Sequence, residues 1–458
     1  MSKKARWFMA AGLALVVAAV LLAYFTQRRP VADLRKTMTE SALPGVREYL
    51  GRLAGQPVKV SYQDMAMTDQ GLVLSRVVIA TGENNPHRLT IDKAVFTRLE
   101  QVFGPRPHWL ASGRISGLAG GLTPSSSLKV AEVEFEELRL WPGLTRLAVS
   151  RARVRDFSRH AASGHLALAG LQVKRLRVSR GGSLELVSGQ ADRLVFHTGP
   201  ATLKLARLSV LGARVRSLKR LSPFDAGRTE ITGLAALQAG RQFLGLGRAL
   251  VQYDRQGPRR KLKVELSDLS LKGPGAPPAM ARQMTELGYR ELGLNLRLEA
   301  EVDLDSQRLV LRRLALNSPQ MGELELGLEL SGFRVDPAKL SRMPLWSLLL
   351  AQRSVALVSA RLTYRDASLA GRLLALQARR RGLTPETFSK VLVAQLQAAA
   401  GELGPGMQPL AGALVSFLRR PGELQISLRP PKPLGLLGVT MMKPRTVLQR
   451  LGIAAQAR

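Results

Sequence analysis

Apolar and polar residues alternate strictly from Leu292 to Leu304, where seven apolar positions occur at every second residue. Successive side chains of a β-strand point to opposite faces, so this alternation predicts a strand with one apolar face. Turn-forming sequences at 305–308 and 317–320 separate two further leucine-rich strands. The pattern predicts an antiparallel meander, and the leucines on its apolar face are Leu292, Leu294, Leu296, Leu298, Leu309, Leu311, Leu314, Leu316, Leu324, Leu326, Leu328 and Leu330.

The alternation skips one position in the second strand. Leu309 and Leu311 are followed by two arginines, Arg312 and Arg313, and the leucines then resume one position out of step. A slip of one residue would turn every later side chain to the wrong face, so we expect a β-bulge at this arginine pair. The sequence Phe135–Leu138 shows the same interruption. Because bulges increase local twist, the two together predict a curved sheet.

The rest of the chain reads as short apolar runs separated by Gly, Asn and Pro, which are typical of hairpins. Within these runs a unit Arg-Leu-x-(Val/Leu/Phe) recurs at irregular intervals, which excludes a repeat architecture of fixed period for that unit. Its six occurrences begin at Arg146, Arg175, Arg193, Arg207, Arg308 and Arg313.

Beyond residue 335 the apolar period changes to that of a helix. Thr384 is a candidate N-cap followed by Pro385 at the first helical position, and a second helix is predicted over 410–418 before a strand at 424–428. The predicted fold is therefore mainly β: a long curved antiparallel sheet with one apolar face, preceded by a transmembrane helix and followed by a smaller α+β C-terminal region at 336–458.

The transmembrane helix is predicted from the nineteen uncharged residues Trp7–Phe25, because a helix of that length matches the roughly 30 Å hydrocarbon core of a bilayer. A cleaved signal peptide ending near Leu21 and Ala23 is the alternative. The predicted organisation is an anchor at 1–29, a juxtamembrane helix with the elongated sheet at 30–335, and the C-terminal region. The expected anchor residues are Trp7, Leu13, Val16, Leu21, Tyr24 and Phe25.

Composition narrows the classes of partner. Lys and Arg number 68 against 34 Asp and Glu, a net charge of +34 that favours anionic surfaces such as lipid headgroups, glycans or nucleic acid. Nucleic acid is not expected, because the basic segment 139–220 has few aromatic residues and a strand-like pattern. The candidate contacts to an anionic partner are Arg151, Arg153, Arg155, Arg175 and Arg177, and the alternative is a solvated outer face.

Candidate chemistry is sparse. The chain has no cysteine, which excludes disulfides, thiolate metal sites and cysteine nucleophiles. His160 and His165 are five residues apart, a spacing that shares neither a helical face nor a strand face, so we interpret them as solvated loop residues and expect no metal site. No nucleotide-binding, hydrolase or zinc motif is complete, and therefore neither an enzymatic activity nor a cofactor is expected.

The order of the elements resembles a known family. A membrane span, the helix "GVREYLGRLAGQPVKV", the strands "MAMTDQGLVLSRVVIATG" and "LTIDKAVFTRLEQVFG", and one-faced strands ending in "LVLRRLALNSPQMGELELGLEL" resemble the AsmA-like proteins of Gram-negative envelopes over Ala5–Phe333. The resemblance implies an inner-membrane anchor, a β-sheet groove in the periplasm, and a link to phospholipid transport and outer-membrane assembly. It also implies membrane lipids, phospholipid or another anionic lipid, and other envelope proteins as partners.

Two hypotheses follow from these observations. In the first, the twelve leucines form an open groove, and they are the candidate lipid-facing residues. In the second, the chain is an anchored scaffold of an envelope complex, in which the C-terminal helices cover the leucines and the basic surface binds a partner. A fully covered apolar face is incompatible with the first hypothesis.

Overall fold

The computed structural model describes residues 58–69, 71–81, 87–102, 108–123, 126–141, 146–161, 164–179, 183–215, 226–273, 278–334 and 354–458. The predicted membrane span and the predicted juxtamembrane helix lie outside these ranges. Within them, no helix has both the length and the apolar character needed to cross a bilayer. Two compact units divide the chain, the first ending at Ile231 and the second beginning at Thr232.

Unit 1 is an antiparallel sheet of long strands in which each strand pairs with the next along the chain. Two short strands, β1 (Val58–Ser61) and β2 (Asp64–Thr68), both pair with β3. The remaining strands are β3 (Gly71–Thr81), β4 (His87–Val102), β5 (His108–Thr123), β6 (Ser126–Leu140), β7 (Arg146–Ala161), β8 (Gly164–Ser179), β9 (Leu184–Thr198) and β10 (Ala201–Val215).

The chain passes from unit 1 to unit 2 within β11 (Arg228–Gln238). Unit 2 continues as an antiparallel sheet and ends in a helical region. Its strands are β12 (Arg241–Gln256), β13 (Arg259–Lys272), β14 (Glu291–Asp303), β15 (Arg308–Ser318), β16 (Gly322–Ser331), β17 (Ala356–Asp366), β18 (Glu423–Leu428), β19 (Leu434–Gly435) and β20 (Ile453–Ala457). The predicted boundary at residue 335 falls inside this unit, where β16 pairs with β17.

The helices of unit 2 include those that the sequence signals predict after residue 335. Thr384 caps the third helix, its hydroxyl accepting a hydrogen bond from the backbone N–H of Thr387 at 3.2 Å, and Pro385 is the first helical residue. The helices are α1 (Pro278–Glu286), α2 (Leu369–Arg380), α3 (Pro385–Leu403), α4 (Gln408–Arg419), α5 (Leu436–Met441) and α6 (Pro444–Arg450), with a 3₁₀ turn at Pro405–Met407.

Both predicted bulges are present. Leu311 pairs with Leu328 and Leu314 pairs with Leu326. Between these two pairs β15 advances by three residues and β16 by two. The extra residue falls at the predicted arginine pair, and it returns the later leucines to the apolar face. In β6 the register against β5 shifts by one residue between Phe135 and Leu138.

Unit 1 contains many more such kinks than the sequence pattern predicts. Single residues inside its strands adopt a left-handed backbone, which costs a non-glycine residue roughly 1–2 kcal/mol. From β5 to β10 each strand contains one, and consecutive ones are 18 to 20 residues apart along the chain. They are Gly117, Glu137, Asp156, Arg175, Arg193 and Gly212, with φ between +48° and +65°.

These kinks fall on two lines that cross the sheet, one through the odd-numbered strands and one through the even-numbered strands. The register of β7 with β8 is nevertheless unbroken, with Arg146 opposite Ser179 at one end and Ala161 opposite Gly164 at the other. From β6 to β10 neighbouring strands therefore bend together at both lines, and no extra residue is needed between them.

The kinks coincide with two of the six Arg-Leu-x-(Val/Leu/Phe) units, those that begin at Arg175 and Arg193. The alternation of side chains changes phase at each line of kinks. Apolar residues therefore come in pairs two positions apart, and each pair starts five positions after the start of the previous one. In β7 the apolar residues are Leu147, Val149, Ala152, Val154 and Phe157. The arginine of the unit in β8 and in β9 is the left-handed residue itself, and the leucine after it faces the core again.

The buried core of unit 1 lies on this apolar face, from β3 to β8. Its largest fully buried side chains belong to four of these strands, β3 to β6, and the rings of Phe96 and Phe135 lie 6.3 Å apart. Full burial of such side chains contributes about 1.5–3 kcal/mol each. The innermost residues are Leu74, Ile79, Ile91, Ile115, Phe135 and Leu138.

Two arginines of β8 test the kink directly. Arg175 is left-handed and exposed, whereas Arg177 is exposed on ordinary strand backbone. We expect Arg175→Gly to raise the free energy of unfolding by a few tenths of a kcal/mol to about 1 kcal/mol, because glycine removes the left-handed strain. Arg177→Gly should lower it by about 0.5–1 kcal/mol, because only the entropy cost of glycine remains. Equal losses in urea denaturation of the two variants would contradict the assignment.

Candidate functional site

The twelve leucines lie on one face of unit 2, which we call the leucine face. The register places apolar residues directly opposite one another from strand to strand, and directly opposed residues share a face. One continuous row crosses eight strands, and it consists of Ala249, Leu266, Leu296, Leu316, Leu324, Tyr364, Leu424 and Ala457.

Three more rows run parallel to the first. The next passes through Leu298, Leu314 and Leu326, and the third through Leu311 and Leu328. The last row joins Val302, Leu309, Leu330 and Leu357. At about 4.8 Å between strands, a row of eight strands is about 34 Å long, whereas one lipid tail spans only half of the roughly 30 Å bilayer core.

The leucine face is partly covered. At the β18–β20 end, Ala413 and Phe417 of α4 pack on Leu424 and its neighbours. Along the last two rows, Leu309, Leu328 and Leu330 join a cluster with Phe333 and Val355. The other nine leucines lie outside the buried clusters formed by the described residues, and each is half-buried. The described residues therefore cover two margins of the face and leave its centre partly accessible.

The opposite face of the same strands carries ion pairs. Arg312 contacts Glu301 at 2.8 Å, and this hydrogen bond lowers the pKa of the Glu301 carboxyl. Arg365 bridges Glu323 and Glu423 at 3.0 and 2.7 Å. Exposed pairs of this kind each contribute little stability, but together they keep the polar face in water. This contrast orients the sheet, with an apolar front and an ionic back.

The candidate arginines of unit 1 lie on strands β7 and β8. Three of them form ion pairs with glutamates of β6, since Arg151 contacts Glu136 at 3.1 Å and Arg153 and Arg155 contact the glutamates before it, Glu134 and Glu132. The basic segment looked unbalanced because these acids precede it in sequence but lie beside it in the sheet. On β8, Arg177 contacts Glu185 at 3.9 Å and Arg175 is the exposed kink residue. An anionic partner at these residues stays a prediction.

The interpretation of His160 and His165 as loop residues is wrong, because both lie in strands. β7 and β8 pair antiparallel, so the two histidines face each other, with ring centroids 4.0 Å apart. His197 of β9 continues the stack at 5.8 Å, and its Nδ1 lies 2.8 Å from the hydroxyl of Thr202. The five-residue spacing was assessed as if both histidines lay on one strand, and this missed the arrangement. A chain reversal between the two histidines predicts it.

Burial, followed by the neighbouring imidazoles, lowers the pKa of His165. The parallel rings present their faces to one another, so their nitrogen lone pairs do not converge on a common point. Within the described ranges, no group of three His, Cys, Asp or Glu residues could hold a metal ion. The stack is therefore an electrostatic feature of the sheet.

Sequence reasoning also missed how far the leucine face extends. Val251, Val264 and Leu362 lie in the row of Leu298, and the alternation in "KLKVEL" of β13 was a visible signal. A strand was predicted at 424–428, but no local signal showed that β17 and β18 extend the rows, because helices separate these strands in sequence.

Comparison with known proteins supports no named function. One family model, described only as an uncharacterized protein, matches residues 315–458, from within β15 to the end of the sequence. No curated protein matches the chain. The matched segment holds part of the leucine face together with all of the helices after β17.

The histidine stack predicts a pH dependence. The folded state favours neutral His165, so below about pH 6.5 the unfolded chain binds more protons and stability falls as the pH decreases. We expect the thermal unfolding midpoint to drop further between pH 7.5 and 5.0 in the unmodified protein than in His165→Gln. An equal drop in both proteins would show that the stack does not couple folding to protonation.

Proposed function

We propose that the leucine face binds the acyl chains of membrane lipids, and that the protein is a non-enzymatic lipid-binding or lipid-transfer factor of the cell envelope. The single observation that carries this proposal is the set of nine half-buried leucines in continuous rows between covered margins. Large contiguous apolar patches on soluble surfaces are uncommon and usually mark a binding site.

The energetics favour an apolar ligand. Burying one methylene contributes about 0.8 kcal/mol, so a tail that lies along several leucines gains several kcal/mol without any polar contact. A face built from leucine discriminates little between tails of different structure. Specificity for a headgroup would have to come from residues outside the rows.

The remaining expectations complete the proposal. The uncharged run Trp7–Phe25 would anchor the chain in an inner membrane, with the bulk of the protein in the periplasm, as the resemblance to AsmA-like proteins implies. The bulges in β6 and β15 support a curved sheet, which would help to enclose a ligand. The excess of basic residues favours anionic lipids as partners, and we expect neither nucleic acid nor a cofactor.

A second candidate function is an anchored scaffold of an envelope complex. The covered margins favour it, because α4 and the cluster around Phe333 already bury part of the face. In that case the half-buried leucines would be a protein contact surface, and the exposed arginines of unit 1 would bind an anionic partner.

Co-purified lipid tests the first function. The segment 30–458 should retain lipid that mass spectrometry identifies after extraction. Leu316→Glu should reduce the retained amount by about tenfold or more, because a charge in the rows costs more than ~1.4 kcal/mol. Asn317→Glu is the matched control, since it places the same charge one residue later on the exposed opposite face.

Three results would count against lipid binding: no lipid above the level of an unrelated periplasmic protein, equal retention by the two variants, or loss in the control alone. Circular dichroism of both variants should show the same β content as the unmodified segment, which separates loss of binding from loss of folding.

A further inference from the structure

Unit 2 contains a second apolar feature, a cleft of about 400 Å³ among the helices α2, α3 and α4. Buried Phe388 and Phe417 contribute to its lining, and Leu373 stays 41% exposed beside them. The cleft is within the roughly 300–1,000 Å³ range of small-molecule sites. Its lining residues are Ala370, Leu373, Leu374, Gln377, Arg381, Phe388, Leu392, Phe417, Leu418 and Pro421.

The sheet holds the aromatic lining of the cleft in place. The ring of Phe417 contacts Tyr364 of β17 edge-on, with the centroids 5.8 Å apart. The Tyr364 hydroxyl donates to the carboxylate of Asp366 at 2.6 Å, and the same carboxylate accepts from the backbone N–H of Ala370 in the first turn of α2. The start of α2 and the position of Phe417 are thus fixed to one strand, and the cleft is preformed.

The polar groups of the cleft are basic or neutral. Among the described residues, the lining contains no acidic residue and a single charged one, Arg381, whose guanidinium lies 5.1 Å from the centre of the Phe388 ring. Arg419 and Arg420 are exposed between Leu418 and Pro421, which both line the cleft. An apolar cavity with positive charge at its edge fits an anionic amphiphile.

Arg381, which directly follows α2, differs from three arginines of α2 itself, which contact the last residue of α1 and the residues after it. Arg372 donates to the carbonyl of Leu287 at 2.9 Å, Arg379 donates to the carbonyl of Glu286 at 3.2 Å, and Arg380 pairs with the Glu286 carboxylate at 2.6 Å. These three contacts are structural. Arg381 instead points its charge at the cleft lining.

The chemistry of the lining favours an acyl chain over a peptide segment. Of the lining residues that the structure describes, only Gln377 and Arg381 are polar, so an extended peptide would find few partners here for its backbone N–H and C=O groups, whereas an acyl chain needs none along its length. We propose that this cleft binds a long-chain fatty acid, with the tail between Phe388 and Phe417 and the carboxylate at Arg381. The site is separate from the leucine face and uses none of its twelve residues.

Photocrosslinking of the full chain in membranes from expressing cells tests the proposal. The probe is a palmitic acid analogue with a diazirine in its tail, irradiated and then located by peptide mass spectrometry. We expect label within 369–421, displaced by unlabelled palmitate. A probe with the same tail but an alcohol in place of the carboxylate should label these helices about tenfold less, because it cannot pair with an arginine.

Arg381→Gln should reduce labelling by the acid probe to the level of the alcohol probe. Lys390→Gln is the matched control, because it removes the same charge from an exposed position of α3 that does not line the cleft. The comparison of acid with alcohol probes needs no substitution, so it stands even if a variant fails to fold.

Several outcomes would overturn the proposal: no displaceable label in the helices, equal labelling by the two probes, equal effects of the two substitutions, or crosslinks between two chains through the cleft. Label confined to 261–331 would also overturn it and would leave the proposed function of the leucine face intact. Conversely, label in the helices alone would support fatty-acid binding in the cleft and would give no support for lipid binding at the leucine face.

Discussion

Alternation of side chains along a strand is the constraint on which this structure depends. A strand that bends must still return its apolar residues to the same face, or every later residue is inverted. In unit 1 the protein places left-handed residues in line across every second strand, and the strands from β6 to β10 keep an unbroken register across both lines. In β15 it uses an extra residue at the arginine pair instead. Both devices keep one face apolar along the whole strand.

A one-faced sheet separates its chemistry by side. In unit 2 the back of the sheet is a ladder of Arg–Glu pairs, and the front is almost purely aliphatic. Water solvates the ionic back readily and the aliphatic front poorly. The front must therefore be covered by other parts of the protein or by a ligand. The C-terminal helices cover one end through α4 and in doing so create the cleft above Phe417. Covering one apolar surface has therefore generated another.

Local pattern was sufficient for the elements whose signals lie within a few residues. The strict alternation of β14, the bulge at Arg312–Arg313 and the cap at Thr384 each follow from short-range geometry. The missed features depend on which strands become neighbours. The partners of Arg151 lie on another strand, and the three stacked histidines meet only after two chain reversals.

The candidate site likewise has features that the sequence predicts and features that depend on which strands become neighbours. The twelve leucines share a face, as their spacing predicts, because register follows from alternation. The extension of the rows onto β17 and β18 depends on pairings between strands that lie far apart in sequence, which no local pattern encodes. The cleft requires the packing of three helices, so Arg381 could not have been distinguished from the arginines of α2 just before it by sequence alone.

The even spacing of the kinks in unit 1 has an evolutionary consequence. Kinks on the same line recur 37 to 39 residues apart, for example from Gly117 to Asp156 and from Glu137 to Arg175. Removing a single strand would place a kink of the line through the odd-numbered strands against a kink of the line through the even-numbered strands. Removing two consecutive strands, a hairpin, would leave both lines continuous. Each strand pairs only with its neighbours, so such an array tolerates gain or loss of whole hairpins. Sheets of this construction can change length by duplication of hairpins while the apolar face stays continuous.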